Sequence, residues 1–452
     1  TSGQLGLGDY LSRSSPVAVQ AALPIYFNRH SVGFDHVIMT RNDGTLYGWG
    51  NNSVGQVLQS VTTITQSWSQ VSSSISGSHA IGLRNDGTVW TWGLNSGGQL
   101  GLGDTLARSS PVQVGVAGSW TQIAAGISSS YAIKSDGTLY AWGVNTNGEL
   151  GDNSIISKSS PVLVFGGGSY RSVTSGGSGF TLAVRTDNTL YAWGNNAQGQ
   201  LGLTGSVPSG ATLNRSSPVL VGTSSWSQVS AGVSHALGIT TDGILFAWGG
   251  NTTGQLGIIV PFIVPNGDTI SRSAPTQVSV DKSFQNVSAG GGHSLALDST
   301  GYMYTWGLNN AGQLGLQGQV GTGVTINRSS PVQIGTNLWG RVSAGLSNSV
   351  ALTSNGILWT WGLNTSGMIA DGTTINKSSP VQIGVLSWSQ VNPGGTSNMY
   401  GVRGDGLLFT WGSAISSGQL GLTTEVTVVR SSPTLVGNNT LIGTTIPNPA
   451  LI

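Results

Sequence analysis

Between residues 225 and 275 apolar and polar positions alternate in short runs of strand length. Gln228 to Ala231 reads as a strand, a Gly-containing bend follows, and His235 to Ile239 reads as a second strand. Asp242-Gly243 separates this from a third run, Ile244 to Trp248. Asp-Gly between apolar and aromatic runs is a hairpin signal, because both central residues of a two-residue loop take positive φ. A Gly-rich loop, Gly254-Gln255-Leu256-Gly257, then leads to Arg272-Ser273-Ala274-Pro275, where a short fourth strand is expected to open at the proline.

Nearly the whole chain copies this stretch. The Trp-Gly that ends the third strand recurs at Trp49, Trp92, Trp142, Trp193, Trp248, Trp306, Trp361 and Trp411. An aromatic opens the first strand at Trp68, Trp120, Tyr170, Trp226, Phe284, Trp339 and Trp388, with a degraded copy near Phe27. The basic Ser-Ser-Pro element recurs from Arg13 to Arg430 but is missing between Val57 and Trp68, where a three-stranded or irregular blade is expected. Four short strands per unit, repeated around an axis, predict an all-β fold: a single β-propeller of seven to eight four-stranded blades, eight on the repeat count. Residues 21–437 are assigned to the propeller repeats, and residues 438–452 to a polar C-terminal tail. Residues 1–20 form a surplus partial repeat, expected to close the ring or to pair as a strand between subunits. Because the sequence starts in mid-repeat, it is expected to be a piece of something longer.

Composition sharpens this picture. Of the 452 residues 7% are charged, well under the usual ~25%, yet 15 tryptophans and 38% apolar residues supply a core. The surface must then be mainly Ser, Thr, Asn, Gln and Gly. A net charge of +1 lacks the footprint of a nucleic-acid binder, so no nucleic-acid partner is expected. Cysteine is absent, which removes disulfides and thiolate metal sites. No apolar stretch reaches the ~18 residues of a membrane span; the longest, Ile258 to Val264, is broken by Pro261.

Some stretches match a known family closely. Gly98-Gln99-Leu100-Gly101-Leu102-Gly103-Asp104, Arg108-Ser109-Ser110-Pro111-Val112, Ala125-Gly126 and Asp136-Gly137-Thr138-Leu139-Tyr140-Ala141-Trp142-Gly143 resemble the regulator of chromosome condensation repeat family. The resemblance covers residues 1–437 and implies a β-propeller, usually seven-bladed. It also implies functional breadth, from small-GTPase exchange to ultraviolet-light sensing, so the fold alone does not choose a function.

Candidate chemistry is sparse. His36, His79, His235 and His293 stand at one repeat position, eight residues before Gly44, Gly87, Gly243 and Gly301. Units hold such positions too far apart to share a metal, so each is read as hydrogen-bonding across a turn, and no metal site is assigned. The basic residues of the Ser-Ser-Pro element form a sparse ring, each tying a loop to carbonyls or to an aromatic ring. Asp43, Asp86, Asp136, Asp242, Asp405, Asp9 and Asp104 read as turn and loop residues, and Glu149 and Glu425 as isolated loop residues. No pair of carboxylates flanks one bond as a glycosidase needs, and no phosphate loop appears. No catalytic residue, cofactor or enzymatic activity is therefore assigned.

Departures from the repeat carry more. Three consecutive units have longer loops, Leu203 to Asn214, Ile258 to Ser271 and Leu316 to Asn327, which map to one face. Ile258, Ile259, Val260, Phe262, Ile263 and Val264 are the candidate partner-binding residues, with equal weight given to their folding down over their own blades. The leading reading is a non-enzymatic structural or adhesion propeller, extracellular or on a virion surface. It binds other protein chains, self-association included, and glycan binding stays open. The alternative is an intracellular regulator resembling the small-GTPase exchange factor of the family.

Overall fold

A computed structural model describes residues 27–32, 36–41, 46–50, 68–73, 79–84, 86–115, 118–203, 213–259, 268–278, 281–316, 326–394, 398–403, 408–413 and 429–435. The expected roles of residues 1–20 and 438–452 lie outside the described residues. The described secondary structure is strand throughout. Each Trp-Gly copy closes a three-stranded antiparallel meander. In the Trp248 unit its strands are Trp226–Ala231, His235–Thr240 and Leu245–Gly249, with Arg272–Gln277 as the fourth and outermost strand. Five sheets have this four-stranded order, and Phe27–Val32, His36–Arg41 and Leu46–Gly50 form a sheet of three. Residues 51–67, where the Ser-Ser-Pro element is missing, lie outside the described residues.

The last sheet has seven strands because two units share one. Lys377–Gly394 is a single strand of 18 residues. Its first part pairs with Ile357–Gly362, down to Ser387, and from Trp388 it pairs with Asn398–Arg403. The outer strand of one unit thus runs on as the first strand of the next. First strands of successive sheets lie side by side, and the Lys377–Gly394 strand adjoins Phe27–Val32, so the series returns to its start. This is a β-propeller.

Two local expectations are corrected. The hairpin turn is longer than two residues: the Gly243 N–H donates to the Thr240 carbonyl and the Thr240 N–H to the Ile244 carbonyl. Gly243 has φ +85°, while Asp242 is not among the positive-φ residues. A turn followed by one left-handed residue is the three-residue hairpin, in which only the glycine needs positive φ. The fourth strand also starts at Arg272, with Pro275 inside it. Pairing runs Ala247 to Thr276 and Gly249 to Arg272 with a register shift between. Pro275 therefore sits within the bulge of an edge strand, where no ladder N–H is required.

The core lies between sheets. Leu237, Ile239, Leu245, Leu256 and Ile258 of the Trp248 unit pack with Phe284, Val287, Tyr304 and Trp306 of the next. Period-two alternation puts one set of side chains on each face of a sheet, and stacking around an axis buries both.

Candidate interaction surface

In the six units from Trp92 to Trp361 the loop between the third and fourth strands is organised by one buried asparagine, three residues after the Trp. Asn251 is fully buried; its Oδ1 accepts from the Leu256 N–H at 3.0 Å, and its Nδ2 donates to the carbonyls of Asp268 and Ile270 at 2.9 and 3.1 Å. Asn95 does the same with Leu100, Asp104 and Leu106, and Asn364 with Ile369, Thr373 and Ile375. A second pin acts on the residue before the basic one: Asn214 Oδ1 accepts from the Asn196 N–H, and Asn327 Oδ1 from the Asn309 N–H, both at 2.9 Å. The asparagine hub is absent from the sequence analysis, although its offset of three from the Trp, broken only at Ala414 after Trp411, is a readable signal.

Pinning these carbonyls leaves the side chain two positions before each basic residue facing solvent. Leu106, Ile156, Leu213, Ile270, Ile326 and Ile375 occupy this position, 46% exposed at Ile326 and 69% at Ile375. Consecutive loops touch: a Cβ on Gly199 would meet the backbone of Arg272 and Ser273, and one on Gly254 that of Arg328 and Ser329. The result is an apolar and basic rim on one face, a feature the sequence reading did not single out.

The basic residues bind carbonyls as expected. Arg108 Nη1 donates to the Leu106 carbonyl at 2.6 Å, and Arg272 Nη1 to that of Ile270 at 2.8 Å. They also find carboxylates, a pairing that the reading of Asp104 as a loop residue does not include. Arg108 pairs with Asp104 at 2.5 Å, Lys158 with Asp152, Arg272 with Asp268 and Lys377 with Asp371. Asp86 and Asp136 do cap turns: Asp86 Oδ1 accepts from the Thr88 N–H, and Asp136 Oδ1 accepts from the N–H and hydroxyl of Thr138, bonds that hold the Asp136 carboxyl below its ordinary value.

The histidines bond between units, not across a turn. His79, His235 and His293 are fully buried, and their Nε2 atoms lie 2.9, 3.0 and 2.9 Å from Ser130, Ser294 and Ser349 of the following unit. Those hydroxyls donate to the carbonyls of Gln99, Gln255 and Gln313. Each serine has only one proton, so the imidazole must be the donor in its pair, which assigns the neutral Nε2–H tautomer. Burial drives the pKa of His235 down to about 3, aided by His293, and that of His293 down to about 4. The side chain of His36 lies outside the described residues.

Tyr131 and Glu149 were not singled out as buried. The Tyr131 hydroxyl donates to the Glu149 carbonyl at 2.9 Å, the Trp193 indole donates to the same carbonyl at 2.7 Å, and burial pushes the phenol up to about 12. Glu149 stands where most units have Gln and the Trp361 unit has Met368; its carboxylate accepts from the Asn147 N–H and burial raises its pKa. Trp248, Trp306, Trp361 and Trp411 likewise donate to carbonyls of the preceding unit, at Gln200, Gln255, Gln313 and Met368. Among the described residues no group of three or more His, Cys, Asp or Glu could hold a metal, and no helix is long and apolar enough to cross a membrane.

Of the candidate contact residues, Ile258 is 4% exposed within the core cluster and is a packing residue. Its neighbour Ile259 is 60% exposed. Val260, Phe262, Ile263 and Val264 lie outside the described residues.

The sequence pattern of the RCC1-like domain matches residues 59–336 and 175–447, and that of the regulator of chromosome condensation (RCC1) repeat matches residues 29–56. The chain is 32% identical over 201 residues to human probable E3 ubiquitin-protein ligase HERC6, covering 42% of this chain and 18% of that protein. It is 31% identical over 198 residues to the Arabidopsis thaliana ultraviolet-B receptor UVR8, covering 42% and 40%. The chain therefore spans less than half the length of these relatives. Yeast RCC1 (Prp20), solved with Kap60, superposes with a TM-score of 0.62 at 21% identity over 85% of this chain and 94% of that one, a likeness of fold. Prp20p of Saccharomyces cerevisiae is described as binding Gsp1p and histones. These relatives overturn the expected extracellular or virion location: ubiquitin-protein ligases and a histone-binding protein act inside cells.

Proposed function

The chain belongs to the RCC1-like domain family, and we propose that it is a non-enzymatic protein-binding propeller that takes partner chains on its loop rim. One observation carries this reading. Six repeat-equivalent aliphatic side chains stand exposed, and the backbone carbonyls of five of them, Leu106, Ile156, Ile270, Ile326 and Ile375, are held from beneath by buried asparagines. Rigid loops bearing apolar side chains suit recognition, since little conformational freedom is lost on binding. The apolar stretch Ile259, Val260, Phe262, Ile263 and Val264 belongs to the same proposed surface, with Ile258 as its anchor in the core.

The test is proximity labelling with the full chain and with a variant of unchanged circular dichroism in which all six rim positions, Leu106, Ile156, Leu213, Ile270, Ile326 and Ile375, are replaced by Ser. Proteins labelled by the parent and lost from the variant are expected. Identical sets from both would reject the rim as the binding face.

A second reading, an intracellular regulator resembling the family's small-GTPase exchange factor, draws on the likeness to Prp20. A nucleotide-release assay on a small GTPase decides it: faster release with catalytic amounts of the chain supports this reading, and an unchanged rate removes it.

A further inference from the structure

The rim is not uniform in charge. In the Trp92, Trp142, Trp248 and Trp361 units the basic residue is matched by an aspartate of its own loop, as Asp104, Asp152, Asp268 and Asp371. In the Trp193 and Trp306 units it is not. Residues 203–214 and 316–327 contain no Asp or Glu, and among the described residues neither Arg215 nor Arg328 has an ion pair. Among the described residues Arg215 Nη1 reaches the carbonyls of Leu213 and Asn214, both at 3.4 Å.

These two uncompensated guanidiniums bracket the Trp248 unit. That unit lies between them with its own arginine neutralised by Asp268 and Ile270 68% exposed. Leu213 and Ile326 complete an aliphatic row beside the two charges. Packing of the Gly199 loop on Arg272, and of the Gly254 loop on Arg328, makes the row continuous. Asn214 and Asn327, each next to its arginine, are held by backbone N–H groups of their own loops, so the bases of both charged side chains are fixed.

We propose that the rim of the Trp193, Trp248 and Trp306 units is a docking surface for an acidic partner segment. Its carboxylates would meet Arg215 and Arg328, and its aliphatic side chains would cover Leu213, Ile270 and Ile326. Charge complementarity selects this occupant. A guanidinium without a carboxylate in its own loop offers the bidentate donor pair that a carboxylate fits. The aspartate-matched units present the same aliphatic position with that donor pair taken. The proposal rests on the protein-binding reading and adds the place and the chemistry of the partner.

The experiment is selection of a displayed random 12-residue peptide library on the full chain. Fluorescence anisotropy of the enriched peptides then follows, on the parent, on Arg215→Gln/Arg328→Gln, and on Arg108→Gln as the control for an aspartate-matched site. Enriched peptides should combine Asp or Glu with Leu or Ile, and should bind the double variant roughly tenfold or more weakly, the change expected for loss of about 1.4 kcal/mol. The control should bind within about twofold of the parent. A Leu213→Ser/Ile326→Ser variant should lose affinity without changing the salt dependence. Circular dichroism and the melting midpoint establish that each variant is folded. Enrichment without acidic residues, equal loss in the Arg108 control, unchanged affinity in the double variant, or no enrichment would each overturn the proposal. Labelled proteins lost from the rim variant but kept by Arg215→Gln/Arg328→Gln would overturn this assignment alone and leave the protein-binding reading intact.

Discussion

At the scale of single residues, the fold depends on a few side chains whose polar atoms replace backbone partners in the loops. Asn251 satisfies one buried N–H and two carbonyls. Asn251→Ala would strand the Leu256 N–H and the Asp268 carbonyl, at about 1–3 kcal/mol for each buried group so stranded, while the Ile270 carbonyl keeps Arg272 Nη1 as a donor. A total loss of about 2 kcal/mol or more is expected, read as a lower urea midpoint at an unchanged slope. A similar argument applies to the glycine that packs on the next unit's Trp. Gly257 has φ +70°, and a Cβ there would stand 2.6 Å from Trp306 Nε1. The slot in the Trp361 unit is held by Ala370 at φ +67°. An alanine in the left-handed region costs roughly 1–2 kcal/mol, partly offset by the freedom glycine adds to the unfolded chain. Ala370→Gly should therefore raise the thermal midpoint slightly, and Gly257→Ala should lower it by several degrees. Equal and opposite shifts of zero would show that the backbone there relaxes freely.

At the scale of elements, the apolar loop after Gly257 divides sharply. Ile258 packs with Leu256, Val278 and Trp306, whereas Ile259 faces solvent. Ile258→Ser should destabilise the protein by about 2–4 kcal/mol, as loss of a buried aliphatic chain does, while Ile259→Ser should leave the urea midpoint within error. The reverse pattern would put the core boundary elsewhere. Strand positions were legible because a period of two and a Trp-Gly at each third strand leave little choice of register. Turn lengths were less so. Asp-Gly suits two hairpin types, and Thr240, whose N–H and hydroxyl both engage Ile244, decides between them. The fusion of two strands into Lys377–Gly394 had a signal in the sequence, since Val385 and Leu386 stand in its connection where other units have Gly222-Thr223-Ser224-Ser225 or Gly335-Thr336-Asn337, residues that favour turns. The rim was legible in principle: an aliphatic two residues before each basic residue recurs from Leu106 to Ile375. Low hydrophobic contrast hid it, because a lone Leu or Ile in a polar loop carries no period of its own.

At the scale of the whole molecule, the units are joined by hydrogen bonds from buried indoles and imidazoles to loops and hydroxyls of their neighbours, and the imidazoles make those seams sensitive to acid. His235 and His293 must stay neutral in the fold, with pKa values of about 3 and 4, whereas the unfolded chain takes up these protons near the ordinary value of ~6.5. The folded pKa is depressed, so the contribution of each histidine is complete above pH ~6.5 and is lost as pH falls towards the folded value. In that window each costs about 1.4 kcal/mol per pH unit, or about 4 kcal/mol for the pair by pH 5. Glu149 acts in the opposite sense, since burial raises its pKa and its protonation relieves the fold as pH falls. Asparagine is a suitable replacement because Asn348 already fills this repeat position, fully buried. Urea midpoints taken between pH 7.5 and 4.5 should fall steeply for the parent. For His235→Asn/His293→Asn they should fall more gently, by up to two protons' worth of slope, from a lower starting stability. Parallel curves would mean that the two imidazoles titrate alike in the folded and unfolded chain, and that acid enters the ring somewhere other than the seams between these units.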